Sequence, residues 1–449
     1  MQVRAQEDYK IIRETQSICT QCYSTIKASI VERNDHVFLR KECSEHGIFE
    51  VPFAFNSEFY RFFQEKSLPF MCGMQSQSEI EIVVTYRCNM RCPICYWQKH
   101  KDKYEQVEPS LEELEQFISK YRKKTWRFTL TGGEPTLRDD LPEIISMLKK
   151  HGKGISINSN GLRLADFAYA QSLKRAGIDR VNMQLDGFDE EIERYMRGDD
   201  YRATKQKALN NLKELNICTG INAVISRDYG KNQISQLIDF ALKHEFIKSI
   251  TWLSLVYPAG KEKYNPKNFI MANEVLDFIQ EETKGKITKH NFLILRKLYL
   301  LAAYCFSRGC CRYSYMYMLI RKQGHYEGID RYLDLKKINK FLDICQGVLI
   351  KNKLLGKIFF LSAMPVVLLV CFRSVSLLKE FFCRGVSFYL RGSSYLKPIN
   401  FLDFRVVTIC DINNFDSVGK QCCFGIALKD DKGLYRDTIR NVNLKISTS

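Results

Sequence analysis

Between Glu81 and Val256 short apolar runs alternate with amphipathic stretches. EIVVTY (81–86), WRFTLT (126–131), GISIN (154–158), DRVNMQL (179–185), ICTGINAVI (217–225) and SITWLSLV (249–256) read as strands. The stretches between them carry helix punctuation. Ser110 and Glu113 form a capping box that opens a helix through about Tyr121. Leu141–His151 is a helix stopped by Gly152, and another runs to about Ala176 and stops at Gly177. Further helices are expected near 188–196, over 202–215 and over Ile234–His244. Strands alternating with helices of this length predict a parallel sheet, so the fold class is α/β. Ligand groups in such folds gather at the carboxyl ends of the strands.

The flanks read differently. Residues 1–75 and 286–449 lie outside the alternating region of 76–285, which suggests three domains for a 449-residue chain. Residues 286–449 contain 27 Lys and Arg against 11 Asp and Glu, whereas residues 1–285 contain 41 against 40. The charge of +17 therefore belongs to the last third, expected to be an α-rich basic domain with an anionic partner: lipid headgroups, a phosphorylated substrate or nucleic acid. Ile358–Phe372 is a fifteen-residue apolar run containing Pro365, short of the roughly twenty residues of a bilayer span, and reads as a buried helix. Its basic flanks Lys351, Lys353, Lys357 and Arg373 also suit peripheral membrane contact. The first residues, MQVRAQEDYK, are polar, and the 17 cysteines fit a reducing compartment where clustered thiols bind metal. The expected location is cytoplasmic, with peripheral contact at the inner membrane face.

Cys88, Cys92 and Cys95 stand in TYRCNMRCPICYW directly after the first strand of the alternating region. Three thiolates on one loop can hold three irons of a four-iron cluster and leave the fourth open to substrate. A zinc knuckle is the competing reading, but it takes paired ligands, four in total. The Cys-x3-Cys-x2-Cys loop resembles the signature of the radical S-adenosylmethionine (SAM) enzymes. The resemblance implies a partial (β/α)6 TIM-like barrel and a 4Fe–4S cluster whose open iron SAM chelates. It implies reductive cleavage of SAM to methionine and a 5′-deoxyadenosyl radical, fed by a low-potential donor of flavodoxin or ferredoxin type.

Gly132-Gly133-Glu134-Pro135 follows the second strand of this region. Paired glycines let backbone approach a ligand, and a carboxylate can accept from an ammonium group. At this place the segment resembles the family's SAM-amino motif. The family also implies SAM contacts at Ser159 and Asp186, and an arginine at the place of Arg197 for the SAM carboxylate. The residue-level alternative is that the Asn-Gly and Asp-Gly pairs beside Ser159 and Asp186 simply turn the chain. Ile94 stands where the family often has an aromatic near adenine.

A second metal pattern precedes the barrel: Cys19-x2-Cys22 and, twenty residues on, Cys43-x2-His46. Two such knuckles supply four ligands for zinc or a rubredoxin-like iron. With the loop that follows, this module resembles the archaeal tetraether lipid synthases and the class D radical SAM methylases, over about Thr15 to Gly260. Where those families have a cysteine-rich stretch, only Cys72 remains; the family can hold an auxiliary cluster on C-terminal cysteines, while burial as free thiols explains several of those here (Cys305, Cys310, Cys311, Cys345, Cys371, Cys383, Cys410, Cys422, Cys423). The resulting expectation is carbon–carbon bond formation or methylation on a hydrophobic or anionic, lipid-like substrate. Two alternatives stand beside it: a radical SAM enzyme acting on peptide or nucleic acid, and a non-catalytic iron–sulfur protein at a membrane.

Overall fold

A computed structural model describes residues 9–22, 24–54, 57–61, 76–77, 79–95, 108–122, 125, 127–255, 270–305, 308–309, 314–322, 325–374, 401–407, 425–430 and 433–438. Cys72, residues 256–260 at the end of the resemblance, and Cys310, Cys311, Cys383, Cys410, Cys422 and Cys423 lie outside the described residues.

The N-terminal module is an antiparallel meander of β1 (Lys10–Ile18), β2 (Thr25–Arg33), β3 (His36–Cys43) and β4 (Gly47–Ala54). Strict alternation builds it: Ala28, Ile30, Val37, Leu39 and Val51 pack together on one face. A meander brings the β1–β2 and β3–β4 turns to the same end of the sheet, and those turns carry the two knuckles.

The core follows the predicted alternation. Its strands are β5 (Glu79–Thr85), β6 (Arg127–Gly132), β7 (Gly154–Ser159), β8 (Arg180–Gln184), β9 (Cys218–Ile225) and β10 (Ile247–Ser254), parallel and adjacent in chain order. The intervening helices are α1 (Leu111–Tyr121), α2 (Leu141–Lys150), α3 (Phe167–Ala176), α4 (Glu190–Arg197), α5 (Arg202–Glu214) and α6 (Gly230–Lys243). Ser110 and Glu113 make both halves of the expected capping box, and Gly177 ends α3 in the left-handed conformation. One strand face is apolar, with Ile80, Ile82, Phe128, Leu130, Ile155, Ile157, Val181, Met183 and Ile221 in the main hydrophobic cluster. The residues between them are mostly polar and face away from that cluster. This is the partial-barrel arrangement expected from the sequence.

The last third is not a separate α-rich domain. After α7 (Ala272–Glu282) and α8 (Lys289–Cys305), the chain forms β11 (Ser314–Lys322) and β12 (His325–Gly328). Two helices follow, α9 (Leu335–Lys351) and α10 (Lys353–Cys371), then β13 (Phe401–Val407), β14 (Gly425–Asp430) and β15 (Gly433–Thr438). β13 pairs in parallel with β10, and β14 pairs in parallel with β5. The strand order is β12-β11-β13-β10-β9-β8-β7-β6-β5-β14-β15, so the C-terminal segment extends both flanks of the six-stranded core. The 285/286 boundary falls inside one continuous hydrophobic cluster, which joins Ile279 and Ile287 to Phe292, Phe404 and the β5–β10 core.

The apolar run is also not buried as expected. In α10 only Gly356, Phe360 and Cys371 are buried. The remainder of its outer side meets solvent.

Candidate active site

The three cluster cysteines follow β5 at the carboxyl end of the sheet, and all three are partly exposed. The Cys95 N–H donates to the Cys92 carbonyl (3.1 Å), closing a tight turn, and the Met90 N–H donates to Cys88 Sγ (3.4 Å). Burial pushes the Cys88 thiol up to about 12, with the Glu134, Cys95 and Cys92 charges adding to it. Thiolates gathered in this way need a compensating cation, which an iron cluster supplies; the loop fits that group.

Gly132 and Gly133 have a role the sequence reading did not anticipate. They let the β6 end pass against the root of the cysteine loop. A Cβ on Gly132 would lie 2.0 Å from the Thr85 carbonyl oxygen, and one on Gly133 would lie 2.3 Å from that of Arg87. Gly132 also has a φ of +139°. The Gly133 N–H donates to Thr85 O (2.9 Å) and the Glu134 N–H to Arg87 O (2.7 Å). GGE is thus fastened to the residues immediately before Cys88.

Glu134 is fully buried. Its Oε1 accepts from the Thr136 N–H (3.1 Å), the Thr136 hydroxyl (2.6 Å) and the Ser159 hydroxyl (2.9 Å). Its Oε2 accepts from the Asn160 N–H (2.6 Å). A carboxylate has about four acceptor sites, two on each oxygen, so the protein's own donors fill Oε1 and take one site on Oε2. Ser159, expected to meet SAM, spends its hydroxyl proton on Glu134 and accepts from the Gly161 N–H (3.0 Å). Asn160, read from sequence only as part of a turn, links the two motifs. Its Nδ2 donates to Asn89 Oδ1 (2.8 Å) and lies 4.0 Å from Cys88 Sγ. Nothing local in NSNG distinguishes that role from a turn.

Asp186 and Arg197 come together as a bidentate pair, Nε to Oδ2 at 2.6 Å and Nη2 to Oδ1 at 2.8 Å. The Val224 N–H and Gln184 Nε2 also donate to Asp186, at 2.8 and 2.6 Å. Burial alone would raise the Asp186 carboxyl; the Arg197 charge and hydrogen bonds overcome this and hold it below the ordinary range. Arg197 also interacts with Cys92, tying the β8 end to the cysteine loop. Lys205, buried and donating to Gln184 Oε1 (2.6 Å), pairs with buried Glu193 behind this network. Ile94 packs with Val224, Leu255 and Met271, an apolar wall beside the same rim.

The barrel's inner face below the rim is polar. Glu81, Thr129, Ser156 and Arg180 lie in one register layer across β5 to β8. Asn158 and Asn182 lie opposite each other in the next, and Asn182 Nδ2 donates to Asn158 Oδ1 (3.0 Å). Glu81 retains some accessible surface. Burial first, then the Glu79 charge, pushes its carboxyl up to about 8, against a hydrogen bond with Asn158.

In the N-terminal module the donor atoms of Cys19, Cys22, Cys43 and His46 all lie within 4.8 Å of one another. Cys22 and Cys43 Sγ are 3.8 Å apart, and Cys43 Sγ is 3.5 Å from His46 Nδ1. Tetrahedral zinc with its usual bond lengths sets such pairs about 3.8 and 3.5 Å apart. The four donors fit the ion as they stand. Cys22 is pulled down to about 6, first by the Ser24 hydroxyl. Lys41, buried beneath, donates to the Ile18 carbonyl (3.1 Å).

Comparisons with known proteins match both regions of the chain. Residues 82–241 match the Radical SAM superfamily profile, and residues 11–54 match the HMPTM N-terminal zinc ribbon domain. The chain is 27% identical over 311 residues to the 7,8-dihydro-6-hydroxymethylpterin dimethyltransferase of Methanocaldococcus jannaschii, covering 62% of this chain and 60% of that protein. It is 32% identical over 211 residues to the probable GTP 3′,8-cyclase of Thermoplasma volcanium, covering 46% of this chain and 62% of that one. The chain thus spans about three fifths of the curated relatives it matches. Streptococcus suis SuiB bound to S-adenosylmethionine aligns at a TM-score of 0.40 and 14% identity, over 56% of this chain and 69% of that one. The core is therefore a radical SAM domain, preceded by a zinc ribbon.

Proposed function

We propose that this chain, with a radical SAM domain as its core, cleaves SAM reductively and uses the resulting radical to form a carbon–carbon bond, by methylation or coupling, on a polar nitrogen heterocycle. Cys88, Cys92 and Cys95 would hold the 4Fe–4S cluster, and the GGE backbone, the Ile94 wall and the Asp186–Arg197 pair would border SAM. When bound, the cluster and SAM supply the electron and the hydrogen-abstracting radical. The chain's own residues set the geometry of the rim, keep the loop fixed and choose the substrate.

The observation that carries the substrate class is the polar inner face of the barrel. Glu81, Asn158 and Asn182 offer a carboxyl and two carboxamides facing away from the apolar core. A carboxyl beside carboxamides can pair with the amide and amino edge of a 2-amino-4-oxopyrimidine ring. The dihydropterin named for one relative and the GTP named for the other share that ring. These groups bond partly to one another and to Arg180, and their remaining donors and acceptors match a polar ring better than a lipid chain. The lipid-like substrate expected from the C-terminal third therefore has no support in this lumen.

The test is anaerobic reconstitution of the full chain with iron and sulfide, then SAM, a low-potential reductant and either 7,8-dihydro-6-hydroxymethylpterin or GTP. Formation of 5′-deoxyadenosine should exceed that of a Cys88/Cys92/Cys95 triple-alanine variant and rise with the heterocycle. Glu81→Gln should weaken that stimulation while sparing substrate-free cleavage. No 5′-deoxyadenosine from the reconstituted chain would end the radical reading. Cleavage that neither heterocycle stimulates would end the substrate assignment.

A further inference from the structure

We propose that α10 is a docking helix whose outer face lies on an anionic lipid bilayer, parallel to the membrane plane. The helix is apolar all round, and one side of it has no cover among the described residues. Leu354, Ile358, Leu361, Val366, Leu369 and Val370 are each between 41% and 68% exposed. Successive steps of three to five residues, with Leu369 and Val370 adjacent at the end, keep them on one broad stripe along the helix. From Ile358 to Phe372 there is no charged residue. A contiguous apolar stripe of this length exceeds the scattered apolar residues of an ordinary surface and marks an interaction face.

Charge decides the partner. Lys351, Lys353 and Lys357 stand at one end of the stripe and Arg373 at the other, and no Asp or Glu lies between them. Lys351 and Lys353 are exposed, and Arg373, though paired with Asp334 (3.4 Å), keeps 58% of its side chain exposed, so both ends can reach the phosphates of one leaflet. The C-terminal third contributes nearly all of the chain's net positive charge. Cationic ends around an uncharged apolar stripe are the pattern of an interfacial helix on anionic lipid.

Geometry decides the orientation. Among the described residues α10 is the helix long and apolar enough to cross a bilayer, but its fastening opposes a crossing. Asn352 caps its start, its Oδ1 accepting from the Leu354 and Leu355 N–H groups (3.0 and 3.1 Å). At its other end the Asp334 N–H donates to the Cys371 carbonyl (2.9 Å), and the Arg373 N–H donates to that of Tyr332 (2.8 Å). The helix therefore returns to the base of α9. A crossing would drag in α9 as well, with its exposed Lys336, Lys337, Lys340 and Asp343. Lying flat leaves these in water and covers the stripe.

The test is flotation of the full, reconstituted chain with vesicles of phosphatidylcholine alone or mixed with phosphatidylglycerol. The chain should float with the mixed vesicles, and salt should weaken the association. An Ile358→Asp/Val366→Asp/Leu369→Asp variant should lose at least about 100-fold in partitioning, at roughly tenfold per apolar side chain, while keeping SAM cleavage as its check of folding. Lys351→Glu/Lys353→Glu should bind more weakly and lose the salt dependence. The proposal falls if the wild-type chain stays with the soluble fraction, or if the triple variant floats equally well. It also falls if the wild type is a dimer that the triple variant dissociates without any vesicle binding, since a second copy would then cover the stripe. Because SAM cleavage is read separately, failure here leaves the reading of the barrel untouched.

Discussion

Replacing Glu134 by glutamine separates two roles that a sequence motif cannot distinguish. If Glu134 serves only to receive the SAM amino group, the change should cost affinity for SAM and little else. The geometry predicts a folding cost as well. Four donors converge on the carboxylate, three on one oxygen and the Asn160 N–H on the other. Glutamine keeps one oxygen and turns an NH2 group toward one set of donors. In the better orientation the Asn160 N–H faces another donor inside the protein, at a cost of about 1–3 kcal/mol. The remaining bonds lose their ionic acceptor and about half their strength. Together the loss should be about 2–4 kcal/mol without any SAM present. Urea unfolding of the apoprotein, wild type against Glu134→Gln, measures it. A change below about 0.5 kcal/mol, accompanied by a large loss of SAM affinity, would refute the structural role and restore Glu134 as a ligand alone.

Two other outcomes follow from the same network and from the ribbon. Asp186 is held below the ordinary carboxylate range, so its contribution to stability is present above about pH 4 and is lost as pH falls through its folded value; Asp186→Asn should lower stability at neutral pH by about 3–5 kcal/mol and flatten the acid limb of the stability curve, measured by unfolding across pH. Cys22→Ser should remove most bound zinc and expose the residue 10–54 sheet to protease, while the iron of the barrel, quantified in the same sample, stays unchanged; parallel loss of both metals would show that the two sites are not independent.

Much of the barrel was legible because its signals are local. The capping box at Ser110 and Glu113, the stop at Gly177 and the alternation of Ile80 with Glu81 each fix structure within a few residues. The knuckles were legible for the same reason, since two short Cys/His pairs need only a hairpin meander to bring them together. The strands at Phe401–Val407 and Gly425–Asp430 were not, because their parallel partners lie far back along the chain and no local pattern encodes that pairing. Helix α10 misled in another way: its composition suggests burial, but composition cannot say whether protein or lipid covers a residue. At the site, Cys88, Cys92, Cys95 and GGEP were conspicuous. The four-donor cradle around Glu134 was not, because its partners Ser159 and Asn160 sit on the next strand end in a segment that looks like a plain turn.

The pairing of Ile80 with Gly425 carries a consequence for how the molecule is made. The strand that roots the cysteine loop is among the first parts of the barrel to leave the ribosome, yet its outer edge stays bare until almost the whole chain has been synthesised. Its neighbour on the far flank, β10, waits in the same way for Phe401–Val407. Contacts between such distant segments form slowly, and unpaired edges meanwhile invite wrong partners. Iron delivered to the nascent loop would meet a half-built sheet. Biogenesis should therefore run in sequence, with the ribbon able to form early, the sheet completed only after translation, and cluster insertion last.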